Sequence, residues 1–261
     1  MNIVVCIKQV PDTEAPIRVR SHGGIDETGL NLVMNYYDEH ATEAALRLRE
    51  QFGGTVTVVA AGPERAREAL RQALAMGADE ATLLRDAALD AADHLQVARA
   101  LAAFIRPRTA DAVICGKLST DDNAAIVGPA LAELLDLPQA TAIAKLEVDD
   151  GAGRAIVHRE LEGAVEVLEV PLPALFTVER SLNEPRYPSL PGIMKAKRKE
   201  IAVMDLAALG LSAEDLGTRG ATLATLAAPP ARTAGVQVNG ADPEAAVEAI
   251  VSFLGERAKV L

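Results

Sequence analysis

The run Gly116-Lys117-Leu118-Ser119-Thr120-Asp121-Asp122-Asn123 has the makeup of an anion-binding loop. It follows the short apolar stretch Ala112 to Cys115 and leads into an alanine-rich segment that begins a helix near Asn123. A strand ending in glycine, followed closely by a helix, brings backbone N–H groups and a positive helix end together, the setting in which phosphates bind. Lys117 adds a charge, and Ser119, Thr120 and Asn123 add hydrogen-bond donors. The spacing equally fits an ordinary strand–loop–helix connection capped by Asp122 or Asn123. It is neither a Walker loop nor a G-x-G-x-x-G turn, so both readings stay open on these residues alone.

Two further loops follow apolar strands: Cys6-Ile7-Lys8-Gln9-Val10-Pro11-Asp12-Thr13, and Ala60-Ala61-Gly62-Pro63. Gly62 permits close approach of a ligand to the backbone, and Pro63 can open the next helix. Either loop alone is equally an ordinary connection. In Met34-Asn35-Tyr36-Tyr37-Asp38, Asp38 is placed to cap a helix. Asn35 can read a ribose or an adenine edge and a tyrosine can stack on a base; a capped helix with two half-buried tyrosines accounts for the same residues. Catalytic arrangements are lacking. His40, His94 and His158 stand isolated, with no nucleophile elbow or H-E-x-x-H near them, and His22 reads as a surface residue. No Cys-x-x-Cys or carboxylate–histidine cluster points to a metal.

The elements that must position these loops alternate. Ile3 to Ile7, Thr55 to Ala60 and Ala112 to Cys115 read as strands. Helical patterns cover Glu39 to Gln51, Glu64 to Met76 and Asp93 to Ile105. In the first helix Ala41, Ala44, Ala45 and Leu48 form one buried stripe; in the second, Ala66, Ala69, Leu70, Ala73 and Leu74 do so ahead of Gly77. Strands that are apolar on both faces and alternate with helices predict a doubly wound, mostly parallel α/β sheet. Such sheets bind ligands beyond the carboxyl ends of their strands, where the strand order reverses. Residues 140–148, 154–159 and 164–170 read instead as an antiparallel β section. A short apolar run, Ala174 to Val178, follows, then a polar loop over 179–192 and a basic stretch from Lys195 to Lys199. Past Pro229-Pro230 an extended piece (Gly235 to Val238) and a helix (Pro243 to Leu254) form a separate arm. The division expected is 1–228 for the α/β domain and 229–261 for the arm.

A chain of 261 residues with net charge −11 lacks the basic surface needed to bind nucleic acid. Aromatic residues make up only 3%, too few for a base-stacking platform. No apolar run approaches the roughly 20 residues that span a bilayer, so membrane insertion is not expected. The opening residues read as a strand rather than a leader, and two cysteines are too few for a disulfide framework. A reducing cytoplasm is the expected location.

Taken together, several segments resemble the beta subunit of electron-transfer flavoproteins. They are MNIVVCIKQVPDT, MNYYDEHATEAALRL, AAGPERAREALRQALAMGADEA, CGKLSTDDNAAIVGPALAELLDLPQ, VERSLNEPRYPSLPGIMKAKRKEI and PPARTAGV. The resemblance runs along nearly the whole chain, and LNEPRYPSLPGIMKAK is highly specific. It implies an electron carrier with no bond chemistry of its own, paired with an alpha subunit that holds the redox FAD. It further implies an AMP in this subunit, contacted by Cys6, Lys8, Asn35, Tyr36, Tyr37, Asp38, Ala61 and the loop Gly116, Lys117, Leu118, Ser119, Thr120, Asp121, Asp122, Asn123, Ala124, Ala125, Ile126 and Val127. Asp12 and Thr13 would lie near the flavin, although some members carry a tyrosine where Thr13 stands. Leu182, with Asn183, Glu184, Pro185, Arg186 and Tyr187, resembles a loop whose exposed leucine anchors partner dehydrogenases. Lys195 and Lys197 match lysines methylated in some relatives. The implied donors are acyl-CoA and other flavin dehydrogenases, the acceptor is a quinone oxidoreductase, and the arm at 229–261 would contact the alpha subunit.

The KQVPDT form and Val127-Gly128-Pro129 look closer to branches that include electron-bifurcating members, whose beta subunit binds a second FAD in place of AMP. Those members usually show Thr-Ala-Gln-Val-Gly, where this chain has Asn123-Ala124-Ala125-Ile126-Val127-Gly128. AMP is therefore the occupant expected and a second FAD the alternative. Two rivals of other classes are a nucleotide-hydrolysing or adenylating enzyme, for which a glycine phosphate loop and a magnesium carboxylate are missing, and an ATP-binding stress-type module.

Overall fold

The computed structural model describes residues 1–20, 23–230, 237, 238, 240 and 242–260. His22 lies outside them, as does half of the piece expected to be extended, where only Gln237 and Val238 are described.

Strand β1 (Asn2–Cys6) sits near the middle of a nine-stranded sheet. Around it run β4 (Thr55–Ala61), β5 (Glu80–Leu84), β6 (Ala112–Gly116), β10 (Ala174–Val178) and β11 (Ala202–Met204). The strand β7 (Gln139–Asp149) joins this parallel set and then pairs antiparallel with β8 (Arg154–Leu161), which pairs with β9 (Ala164–Pro171). The order is β11-β5-β4-β1-β6-β10-β7-β8-β9. Two short strands, β2 (Gln9–Pro11) and β3 (Leu32–Met34), pair separately.

Side chains of β1 alternate between two cores, which is why the strand is apolar on both faces. Ile3 and Val5 pack with residues of α1 (Tyr36–Phe52), α2 (Arg67–Met76) and α5 (Leu190–Arg198). Val4 and Cys6 pack with α3 (His94–Ile105) and α4 (Val127–Leu135) on the opposite face. The doubly wound parallel sheet and its antiparallel extension are as the sequence predicts.

Four local readings change. Helix α1 begins at Tyr36, not Glu39, with Asn35 in the capping position, so Asp38 lies inside the helix and does not cap it. Helix α4 begins at Val127, not near Asn123, because Asn123 and Ala125 take left-handed φ values of 53° and 54° that no α-helix contains. Helix α5 replaces the end of the expected loop and the basic stretch; Ser189 caps it by accepting a hydrogen bond from the Gly192 N–H at 3.2 Å, and Pro191 fits its first turn. Strand β5 was not expected, since Asp79 and Glu80 interrupt the apolar pattern. In the arm, helix α6 (Pro243–Ser252) starts where expected, with Asp242 accepting from the N–H groups of Glu244 and Ala245. Among the described residues Leu216 is the last buried one, and no helix is long and apolar enough to cross a membrane.

Candidate functional site

The chain leaves β1 to build β4 and β5 on one side, then returns to place β6 on the other. The order therefore reverses between β1 and β6, and their carboxyl ends open a crevice. Cys6 and Cys115 face each other in register at that point. Both are buried, and hydrogen bonding to Cys115 together with burial pushes the Cys6 thiol well above its ordinary value.

Above them lies a cleft with about 770 Å³ of free space, its open mouth included. Of the residues expected to bind a nucleotide, Cys6, Lys8, Asn35, Asp38, Ala61, Gly116, Lys117, Leu118, Ser119, Asp122, Ala124, Ala125, Ile126 and Val127 line it. Tyr36, Tyr37, Thr120, Asp121 and Asn123 do not. Tyr36 turns edge-on to His40 at 4.9 Å between ring centres and is half exposed. Ile7, His94, Val97, Leu101, Cys115 and Gly128 complete the lining without having been expected.

Each wall has a physical cause. Asn35, buried before α1, donates its amide to the Leu118 carbonyl at 2.9 Å and accepts from the Thr120 N–H at 3.1 Å. Its polar atoms thus hold the loop after β6. Asp38 accepts from the N–H of Lys8 at 2.7 Å and from that of Gly116 at 3.2 Å, tying α1 to both strand ends. Burial pushes its carboxyl up to about 7, with those N–H groups opposing the rise. Gly116 is required for this contact, since a Cβ there would stand 2.3 Å from Asp38 Oδ1 and 2.7 Å from Tyr37 Cβ. Lys117 is drawn aside by Glu179, at 2.7 Å.

The loop itself is set by Asp122. One carboxylate oxygen accepts from Ser119 Oγ at 2.8 Å and from the Ala124 N–H at 3.0 Å. The other meets Lys8 Nζ at 3.2 Å and His94 Nε2 at 2.8 Å. Burial disfavours its charge, but these partners outweigh burial and hold the carboxyl well below the usual range. Beyond this turn the N–H groups of Ala125, Ile126, Val127 and Gly128 make no hydrogen bond with the described residues. All four residues line the cleft, at the positive end of α4. An apolar slot with free N–H groups at one end suits a purine with a phosphate attached, so the residues present fit an adenine nucleotide. His94 was overlooked because a histidine spaced apart from other ligands carries no motif. The Asp93–Gln96 capping box, which starts α3 after β5, is the signal that could have placed it on this rim.

The loop expected to present Leu182 is ordered against α1. Arg186 grips Glu43 at 2.7 Å and Glu50 at 2.5 Å, and Asn183 exchanges hydrogen bonds with His40. Leu182 is half-buried and packs on the core, so the exposure expected of it is not found. Tyr187, Leu190, Ile193 and Met194 are the exposed large apolar residues of the segment, at 95%, 73%, 38% and 49% exposure. Lys195 and Lys197 are exposed on α5. Asp12 and Thr13 follow β2 away from the cleft lining, and Asp12 accepts from Asn31 Nδ2 at 2.9 Å.

The sequence profile of the electron transfer flavoprotein domain matches residues 23–209. An electron transfer flavoprotein subunit beta from Bacillus subtilis is 40% identical over 262 residues, covering 100% of both chains. Another so named, from Thermoanaerobacterium thermosaccharolyticum, is 42% identical, covering 98% of this chain and 99% of its own. The caffeyl-CoA reductase-Etf complex subunit CarD of Acetobacterium woodii is 38% identical over the same shares.

Proposed function

The chain belongs to the electron transfer flavoprotein family, as a beta subunit, and from that premise we propose that it binds AMP in the cleft between β1 and β6 while helping an alpha subunit relay electrons. The electrons come from flavin dehydrogenases such as acyl-CoA dehydrogenases and pass to a quinone oxidoreductase, in the cytoplasm. The observation that carries the nucleotide reading is the row of N–H groups from Ala125 to Gly128, unpartnered among the described residues, beside the apolar slot. FAD, held mainly by the alpha subunit, supplies the redox chemistry. This chain's residues shape the complex: Asp12 and Thr13 face the flavin side, and the cleft secures the nucleotide.

Two surfaces serve partners. Leu190, with Tyr187 and Met194 beside it, is the apolar anchor for a dehydrogenase, flanked by the cations Lys195 and Lys197. A single apolar side chain on an exposed segment can fill a partner's pocket as a hot spot. The arm carries Val247, Ile250, Val251 and Phe253, all 44–61% exposed, and these cover the alpha subunit.

A second FAD in the cleft is favoured by one observation. A hollow lined by Gln9, Leu32, Ala60 and Pro63 meets the cleft at Lys8 and Ala61 and extends the space open to a larger ligand. Co-expression with the alpha subunit tests the electron-carrier reading. A yellow heterodimer that an acyl-CoA dehydrogenase reduces supports it, whereas a colourless self-dimer that turns over ATP with magnesium contradicts it.

A further inference from the structure

His94 and Asp122 come from different elements and meet at the mouth of the cleft. His94 is the first residue of α3; Asp122 lies in the loop after β6, with 2.8 Å between Nε2 and Oδ2. A carboxylate only accepts, so Nε2 carries the hydrogen of this bond. The groups facing the pair are few: Lys8 Nζ reaches Asp122 at 3.2 Å and Asp121 at 2.8 Å, while Asp93 spends its carboxylate on the N–H groups of Gln96 and Gly220. His94 and Lys8 thus share one oxygen of Asp122, and Ser119 and Ala124 share the other.

This arrangement has a cost that needs a reason. An acidic side chain beside four N–H groups that have no partner among the described residues repels the anion such groups would hold. The four donors on Asp122 offset that repulsion, and they anchor the turn leading to the left-handed residues Asn123 and Ala125. Building on the nucleotide reading of the cleft, we propose that His94 is a positioning residue for the phosphate end of the nucleotide. Acting through Asp122, it fixes the 119–126 turn so that the N–H groups of Ala125 to Gly128 converge on a phosphate, and it mutes the carboxylate's charge there. The base would lie against the apolar part of the lining, to which Ile7, Val97 and Leu101 belong, and would not depend on this bond.

The test compares AMP with adenosine on the heterodimer stripped of nucleotide, by calorimetric titration. In His94→Ala, AMP binding weakens about ten-fold, the size of one lost charge-assisted hydrogen bond, while adenosine binding changes less than about two-fold. His94→Gln keeps an N–H donor and recovers most of the AMP affinity. Equal weakening for both ligands means a merely structural role and overturns the proposal; so does no weakening for either. Wild-type protein that binds neither ligand overturns the reading of the cleft itself, and this proposal with it.

Discussion

Asn35 holds Leu118 across the cleft, amide to carbonyl at 2.9 Å, although 83 residues separate them. With the Thr120 N–H on its oxygen, this one buried side chain satisfies two backbone groups of a loop that has no regular structure. Asn35→Ala strands both of them. The expected cost is about 2–4 kcal/mol, read by urea denaturation, with bound nucleotide lost on purification. Unchanged stability and nucleotide content would show that the loop holds itself.

Close approach at Gly128 gives a rescue experiment. A Cβ there would stand 2.4 Å from Thr177 Cγ2, the methyl group, while Thr177 Oγ1 accepts from the Ala142 N–H at 2.9 Å. Gly128→Ala should destabilise by about 1–3 kcal/mol, as overpacking does. Adding Thr177→Ser deletes the methyl, keeps the hydroxyl, and should return most of the loss; a double variant no better than the single one refutes the contact.

Asp38 gives stability a pH dependence of defined sign. Its carboxyl titrates near 7 when folded, against an ordinary value of 3.8, because it is buried. Between those limits the folded state holds the proton and the unfolded chain does not. Asp38's contribution to stability therefore falls as pH rises from about 4 to about 7, by about 4 kcal/mol, and is level on either side. Asp38→Asn should remove this slope whatever its offset, measured by denaturation at a series of pH values; a parallel slope in the variant contradicts the assignment.

Leu190 and Leu182 separate docking from packing. Leu190→Ala should slow electron uptake from a dehydrogenase roughly five- to thirty-fold, the effect of about 1–2 kcal/mol at an anchor, with flavin content unchanged. Leu182→Ala should lower the unfolding midpoint and leave uptake by the folded heterodimer alone. The reverse pattern returns the anchor role to Leu182.

Long periodic elements were legible in the sequence because burial imposes their pattern: the alanine stripes of α1 and α2, and the doubly apolar β1, β4 and β6. Three of the carboxyl-edge loops follow from that topology alone. Details that depend on distant contacts were not legible. Asp38 has the residue type of a cap, but the two N–H groups that claim it come from strand ends 30 and 78 residues away. The start of α4 was misplaced because left-handed Asn123 and Ala125 are held by the Asp122 turn, not by local propensity. Insertion of β10 between β6 and β7 leaves no periodic trace. The difference between Leu182 and Leu190 is one of exposure, which similar apolar residues on one segment do not reveal.

On the proposed function, the rim between β1 and β6 grips an adenine nucleotide. Denaturing the purified heterodimer and quantifying what it releases tests this directly. One FAD and one AMP per heterodimer are expected; release of FAD alone, with one adenine per heterodimer, would mean that the rim holds no nucleotide.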